Sequence, residues 1–227
     1  DWGDNSPLQK FVLDRQHELI SHAFDNNISS ERKVRIFGEC RLQLLDLTGL
    51  NPLSFFFYRP QYIEEFILRE NGAALEGLAL LKGTYRVDLS GCKTRNLLPL
   101  SECRDAMTID LTGADLSLET LDEYLIDLVK HHYGRRNARL ILSLQPSGEY
   151  QEPLRDENLD YNITTGMEAV WLLLNEPSWN EGGLWQFDID GTIYKASTPE
   201  NQPPSNKEPE PDIEDDYDLD FTDPEIP

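Results

Sequence analysis

Three copies of a five-residue motif decide the fold: Leu45-Asp46-Leu47-Thr48-Gly49, Val87-Asp88-Leu89-Ser90-Gly91 and Ile109-Asp110-Leu111-Thr112-Gly113. A degenerate copy, Phe66-Ile67-Leu68-Arg69-Glu70, lies between the first two. The central leucines are residues 47, 68, 89 and 111, so the motif returns after 21, 21 and 22 residues. A fixed period of this size is typical of a solenoid, in which each repeat buries its apolar face against its neighbours.

The unit around each motif has the pattern apolar-x-x-apolar-x-Leu, as in residues 42–47, 63–68 and 106–111. Asn71 and Cys92 follow three positions after a central leucine. The chain therefore resembles a leucine-rich-repeat protein, whose unit is L-x-x-L-x-L-x-x-N/C-x-L. The apolar-Asp-Leu-Ser/Thr-Gly motif is most similar to bacterial secreted or surface repeats of the BspA-like kind, which also occur in phage structural proteins.

The resemblance covers residues 38–144 and implies an α/β solenoid of about five parallel strands. We expect residues 1–37 to form an N-terminal helical cap, with a helix over 7–24. Residues 145–200 are interpreted as a C-terminal α/β cap. Residues 201–227, which are rich in proline and acids, are interpreted as an acidic tail without a fold of its own in isolation.

Two further helices and a hairpin are predicted downstream. Ser117 is a candidate N-cap for a helix over 118–133, and Thr165-Gly166 precedes a short apolar helix, Met167–Leu174. Asp190-Gly191 separates two segments in which apolar and polar residues alternate. This pattern predicts a β-hairpin with a type I′ turn.

Charge and cysteine content exclude several classes of function. The formal net charge is −22, which argues against binding to a nucleic-acid backbone or to an anionic membrane surface. No apolar run reaches the 18 residues that would indicate a transmembrane helix. Three cysteines without a C-x-x-C spacing argue against a disulfide scaffold and against a cysteine-rich zinc site.

The expected location depends on the resemblance. The chain begins at Asp1 without methionine or an apolar leader, so we expect a protein from which a leader has been removed. The resemblance implies an extracellular or cell-surface protein of a bacterium, secreted or attached as a lipoprotein.

The candidate recognition surface is the concave sheet of the solenoid, where residues between the core leucines point outward. Stacking of the repeats places equivalent residues about 4.8 Å apart and so makes one acidic and one hydroxyl-bearing ladder. The predicted binding residues are Asp46, Thr48, Arg69, Asp88, Ser90, Asp110, Thr112 and Ser143. Neighbouring carboxylates repel each other, so the ladder requires cations such as Arg69 or Arg86. The alternative is a sheet face that is simply solvated.

The tail offers a second candidate site. Tyr217, Leu219 and Phe221 alternate with acids, a pattern that favours addition as a strand to the edge of a partner's sheet. A calcium loop of the EF-hand type is disfavoured, because Phe221 and Pro227 occupy the positions of its glycine and glutamate. A solvated acidic extension is the simpler alternative.

One motif suggests an enzyme. Asp188 and Asp190 in Asp188-Ile189-Asp190-Gly191-Thr192 match the D-x-D-G-T signature of haloacid-dehalogenase-like phosphatases, in which they would be the nucleophile and the general acid beside magnesium. That family carries the motif on the first strand of a doubly wound sheet, whereas only 35 residues follow Thr192 here. The hairpin turn is therefore the favoured interpretation.

We expect a non-enzymatic binding or adhesion module that recognises a protein or a glycan through its concave sheet and needs neither cofactor nor metal. A structural subunit of a larger assembly, such as a phage particle that docks through the acidic tail, is the second hypothesis. The magnesium-dependent phosphatase is the third. A homo-oligomer is left open.

Overall fold

The structure, a computed structural model, describes residues 11–12, 33–36, 38–50, 52–132, 138–176 and 185–196. Its strands are β1 Phe11–Val12, β2 Lys33–Ile36, β3 Arg41–Asp46, β4 Ser54–Phe57, β5 Gln61–Ile67, β6 Leu81–Lys82, β7 Arg86–Asp88, β8 Thr108–Leu111, β9 Arg139–Leu142, β10 Gln186–Ile189 and β11 Thr192–Lys195. Its helices are α1 Leu98–Ser101, α2 Leu118–Lys130 and α3 Gly166–Asn175, with 3-10 turns at Thr48–Leu50 and Glu76–Leu80.

The fold is mixed α/β and contains one mostly parallel sheet. In the described part of the chain this sheet has nine strands in the order β1-β3-β5-β7-β8-β9-β10-β11, with β6 also paired to β5. All of these pairs are parallel except β10 with β11. From β3 to β10 the strands follow one another across the sheet in the order of the chain.

The register of the strands matches the period of the sequence. Leu45, Phe66, Val87, Ile109 and Leu140 are successive partners across the sheet, and their spacings along the chain are 21, 21, 22 and 31 residues. The predicted alignment of the strands is thus confirmed.

The core lies on one side of the sheet. Because side chains alternate between the two faces of a strand, the central leucines all point to this side. Leu47, Leu68, Leu89, Leu111 and Leu142 are at most 3 % exposed. Apolar residues of α1, α2 and α3 belong to the same buried cluster. The helices therefore cover this core face. We call the opposite side of the sheet the outward face.

The two helices predicted downstream of the repeats, α2 and α3, are present and begin with side-chain caps. In α2 the Ser117 hydroxyl accepts a hydrogen bond from the Thr120 amide at 3.1 Å. In α3, Thr165 and Glu168 form a capping box, in which each side chain binds the other residue's backbone amide. The first helix ends at Lys130, slightly before the predicted end at residue 133.

The predicted helix over 7–24 is wrong at Phe11–Val12. These two residues form β1, which pairs in parallel with Leu45 and Asp46 of β3. The edge of β3 offers unpaired backbone groups, and a short strand satisfies some of them where a helix could not. The rest of the predicted helix lies outside the described residues.

The hairpin predicted around Asp190-Gly191 is confirmed. Ile189 faces Thr192, and the two turn residues have φ of 47° and 78°, which is the pattern of a type I′ turn. The sheet continues into the segment interpreted as a separate cap, because β10 pairs in parallel with β9 through Phe187 and Leu140. The expected number of about five parallel strands was therefore too low.

A second, two-stranded sheet was not predicted. β2 and β4 pair in parallel, with Val34 beside Phe55, and Ser54 forms a further parallel bridge with Ala74. Val34 and Phe55 are buried in the same core as the central leucines. The first repeats are thus closed by backbone pairing on two sides.

Candidate functional site

The acidic ladder predicted for the outward face is present. Its members are partners in the sheet, in the order Asp46, Ile67, Asp88, Asp110, Ile141 and Asp188. Asp188 was not assigned to this ladder from the sequence, because its strand lies beyond the recognised repeats.

Asp88 is the best-satisfied carboxylate of the ladder and is only 1 % exposed. Arg69 donates to its Oδ2 from Nε at 2.9 Å and from Nη2 at 2.7 Å, while the Ser90 amide and hydroxyl donate to Oδ1. Burial by itself would raise the pKa of Asp88, but the hydrogen bonds from Arg69 and Ser90 outweigh it and hold the pKa below its ordinary value.

Two further arginines neutralise the ladder. Arg86 Nη2 lies 3.1 Å from Asp88 Oδ2 and 2.7 Å from Asp110 Oδ2. Arg139 Nη2 lies 3.2 Å from Asp188 Oδ2. The requirement for cations such as Arg69 and Arg86 is thus confirmed, and three of the four aspartates of the ladder, Asp88, Asp110 and Asp188, are paired with arginine.

The repeated aspartates also lie at the ends of their strands: Asp46 and Asp88 are the last residues of β3 and β7, and Asp110 is the last but one of β8. The Oδ1 atoms of Asp46, Asp88 and Asp110 accept hydrogen bonds from the amide two residues later, at 2.9, 3.1 and 3.0 Å. This local bond is the turn that aspartate characteristically stabilises. The Asp-x-Ser/Thr spacing carried that signal in the sequence, but the aspartates were predicted to serve recognition alone.

Most of the hydroxyl ladder is likewise engaged within the sheet. Thr48 Oγ1 accepts a hydrogen bond from the Arg69 amide at 3.0 Å, and Ser143 Oγ accepts one from the Gly113 amide at 2.8 Å. All eight predicted residues belong to the outward-facing positions of the sheet and of the turns that follow it. Arg69, Thr112 and Ser143 are the exposed ones.

Three large exposed side chains lie at the amino-terminal ends of the neighbouring strands β5, β7 and β8. We call Tyr62, Tyr85 and Met107 the Tyr/Met row; they are 41 %, 56 % and 39 % exposed. Their sequence neighbours Ile63, Thr84 and Ala106 are buried, whereas the side chains of the row lie at the protein surface.

Backbone pairing places Tyr85 beside Met107 and beside Glu64, whereas Tyr62 is paired with Arg41 and Lys82 and lies two residues before Glu64 on β5. The Tyr85 amide donates to the Glu64 carbonyl at 2.7 Å, and the Thr108 amide donates to the Tyr85 carbonyl at 3.0 Å. The guanidinium of Arg41 lies 4.9 Å from the centre of the Tyr62 ring, which is a cation–π distance. The row was not predicted from the sequence. The candidate binding residues were taken from the position between the last two core residues of each repeat and from the positions after it, and the row precedes both.

The Asp188/Asp190 motif lies in the hairpin. Asp188 is paired with Arg139, and Asp190 is the first turn residue. Among the residues that the structure describes, no group of three or more histidines, cysteines, aspartates or glutamates is placed to hold a metal ion. Tyr217, Leu219 and Phe221 lie outside the described residues.

Cys40, Cys92 and Cys103 are all described and form no disulfide, and Cys92 and Cys103 are buried. Cys40 donates from Sγ to Gln61 Oε1 at 2.7 Å. Burial, together with the nearby Glu39, raises the pKa of Cys40 to about 11. The thiol is therefore protonated at neutral pH and is a poor nucleophile.

None of the described helices is both long and apolar enough to cross a membrane. Comparison of the chain with protein-family models, with curated proteins and with solved structures found no match in any of the three.

Proposed function

We propose that this chain is a non-enzymatic binding module of the leucine-rich-repeat type, which recognises a protein or a glycan through the outward face of its sheet. The parallel strands with their period of 21 to 22 residues support this proposal. So does Asn71, which is buried and accepts a hydrogen bond from the Ala73 amide within its turn.

The observation that carries the proposal is the Tyr/Met row. Tyrosine and methionine are enriched in binding interfaces, because they supply large contact areas at a small cost in conformational entropy. Three such side chains at the starts of neighbouring strands, exposed by 39 to 56 %, leave a sizeable apolar surface in water. A partner that covered them would gain the free energy of removing that surface from water.

The charges around the row favour a polar, near-neutral partner over a strongly basic one. Arg41 and Glu64 are exposed beside the row, and the acidic ladder is paired with arginines. A sugar ring stacked on tyrosine, or a protein surface with mixed charges, satisfies this arrangement. The cell-surface or extracellular location belongs to the same proposal.

The test compares the full chain with a Tyr62→Ser/Tyr85→Ser double variant. Binding is measured on a glycan array and, separately, with proteins retained from an extract of the source organism. We expect the double variant to lose at least about tenfold in affinity, since aromatic residues dominate binding hot spots. Tyr58→Ser is the matched control, because Tyr58 is 55 % exposed but follows the second sheet.

Equal binding by the double variant and the parent, with both melting at the same temperature, would contradict the proposal. Loss of binding in the Tyr58→Ser control as well would show that the effect is not specific to the outward face. Magnesium-dependent phosphatase activity that disappears in Asp188→Asn would replace the proposal with the enzymatic hypothesis.

A further inference from the structure

The connection between β9 and α3 contains a small hairpin with no counterpart in the repeats. The Asn162 amide donates to the Leu154 carbonyl at 2.8 Å, and the Asp156 amide donates to the Asp160 carbonyl at 2.9 Å. Arg155 and Tyr161 form an antiparallel bridge between these two pairs. We call residues 154–162 the leucine hairpin.

The tip of the leucine hairpin is fixed by its own hydrogen bonds. Asp156 Oδ1 accepts from the amides of Asn158 and Asp160 at 2.8 and 3.0 Å. The Leu159 amide donates to the Asp156 carbonyl at 3.0 Å. The tip therefore holds one conformation without help from the core.

The hairpin is also fastened to the body of the protein. The Arg155 guanidinium stacks 3.8 Å from the centre of the Tyr161 ring, and its Nη1 donates to the Leu159 carbonyl at 3.1 Å. The Tyr161 hydroxyl donates to Glu176 at the end of α3 at 3.0 Å. Whatever the hairpin presents is thus held in a constant place relative to α3.

The hairpin presents two leucines to water. Leu154 is 79 % exposed and Leu159 is 72 % exposed, the highest values of any large apolar side chain among the described residues. Leu159 also has φ of 67°, a left-handed conformation that glycine or asparagine adopts more readily than leucine. Neither burial nor backbone preference within the monomer favours leucine at position 159.

We propose that the leucine hairpin is a docking element that inserts Leu154 and Leu159 into a shallow apolar cleft of a partner protein bordered by lysine and arginine. The positive charge of the cleft is inferred from residues 149–160 of this chain, which hold five acids and one base, Arg155. The acids are all exposed. Complementary charge around an apolar centre is the usual arrangement of a protein interface. This surface is additional to the outward face.

The same charges disfavour other occupants. A second copy of the chain carries a net charge of −22, so its approach to the acidic hairpin is repelled. An anionic lipid surface is repelled for the same reason. The test below distinguishes the proposed partner from a second copy of the chain and from a membrane, whether anionic or neutral.

The test places a photo-reactive phenylalanine analogue at position 159 of the full chain and, as a control, at position 53. Leu53 is also exposed and lies in a different part of the sequence. Cross-linking is carried out in an extract of the source organism. The protein that is cross-linked from position 159 only is then purified and titrated with the unmodified chain by calorimetry, at low and at high salt.

We expect Leu154→Ser and Leu159→Gly each to weaken this binding by about tenfold or more, and Leu53→Ser to leave it unchanged. High salt should weaken it as well. Leu159→Gly should melt no lower than the parent, because glycine tolerates the positive φ, so a loss of binding cannot be attributed to unfolding.

Four results would overturn the proposal. They are the absence of an adduct specific to position 159, an affinity indifferent to Leu159→Gly or to salt, leucine-dependent self-association of the chain, and leucine-dependent sedimentation with phosphatidylcholine vesicles. The last two would assign the hairpin to a second copy and to a membrane, respectively.

Discussion

Among single residues, Asp88 shows how the repeat uses its charged positions. A carboxylate in the middle of a sheet face would normally remain solvated, yet Asp88 is 1 % exposed and is bound by Arg69, Arg86 and Ser90. A buried charge is tolerated only when hydrogen bonds and opposite charges replace its water. Asp88 is therefore primarily a structural residue that joins two successive repeats, and Arg86 extends the same network to Asp110 of a third.

This role gives a prediction about pH. The pKa of Asp88 is lower in the folded chain than its ordinary value, so its contribution to stability is present above the unfolded pKa of about 3.9 and is lost as pH falls through the folded pKa. At neutral pH we expect Asp88→Asn to lower the free energy of unfolding by about 2 kcal/mol. The loss is no larger because Arg69 and Arg86 are partly exposed, so water can solvate them when the carboxylate is removed.

The measurement is urea unfolding of parent and variant at a series of pH values. The difference between them should shrink as the pH falls below about 4. Glu64→Gln is the control, because Glu64 is an exposed acid on the neighbouring strand β5, and it should change stability little. A constant difference across the series would show that the charge of Asp88 is not what stabilises the fold.

At the scale of secondary-structure elements, the N-terminal cap of α3 contains a buried carboxylate, that of Glu168. Glu168 is 8 % exposed, and its Oε2 accepts from the Thr164 amide, the Thr164 hydroxyl and the Thr165 amide at 2.9 to 3.0 Å. Burial would raise the pKa of Glu168, but these hydrogen bonds hold it below its ordinary value. The carboxylate thus fixes the chain where it leaves the long β9–α3 connection.

We predict that Glu168→Ala lowers the free energy of unfolding by about 2 kcal/mol and that Thr165→Ala lowers it by about 1 kcal/mol. The larger cost of the first change reflects three donors left without their acceptor in a buried place. Thermal unfolding followed by circular dichroism measures both. Glu119→Ala, in the exposed first turn of α2, is the control. Equal effects of Glu168→Ala and Glu119→Ala would contradict this account of the cap.

Several elements could be predicted from the sequence because their signals are local. The central leucines specify the register, Ser117 and Thr165 mark helix starts, and Asp190-Gly191 specifies the hairpin turn. The strand at Phe11–Val12 could not be predicted, because its apolar residues fit a helix and its partner, β3, is distant in sequence. The pairing of β10 with β9 was missed for the same reason, since 47 residues separate Leu140 from Phe187.

The candidate site was predicted in part. The positions on the outward face followed from alternation. Asp46, Asp88 and Asp110 were predicted to bind a partner, but they accept hydrogen bonds from backbone amides and so also stabilise the turns. Tyr85 follows a bulge near Gly83, where the pairing with β5 shifts by one residue between Lys82 and Arg86, and Gly83 has φ of 62°. Its alignment with Met107 therefore became visible only with the sheet pairing. No periodic signal marks Leu154 or Leu159.

In the molecule as a whole, one core joins all the repeats. The same buried cluster contains Val34 near the beginning of the described chain and Ile189 in the hairpin. An interior strand of the sheet has paired neighbours on both sides, so we expect core residues of the interior strands to contribute most to stability. Leu89 is fully buried in the middle of the repeats.

We predict that Leu89→Ala lowers the free energy of unfolding by about 3 kcal/mol, the usual cost of a cavity in a packed core. Ile193→Ala, in the exposed edge strand β11, should cost less than about 0.5 kcal/mol. Chemical unfolding measures both, and amide hydrogen exchange should show faster exchange throughout the central strands of Leu89→Ala. A neutral Leu89→Ala would mean that the repeat register is incorrect.

The reversal of direction at β11 has a consequence for how such a gene changes over evolutionary time. Duplication of one 21-residue unit within residues 45–88 would insert a strand between two parallel neighbours and leave every other pairing unchanged. A copy added after β11 would meet an antiparallel edge and find no matching partner. Relatives of this chain should therefore differ in length by whole units inserted in the interior, while the terminal hairpin keeps its place at the end.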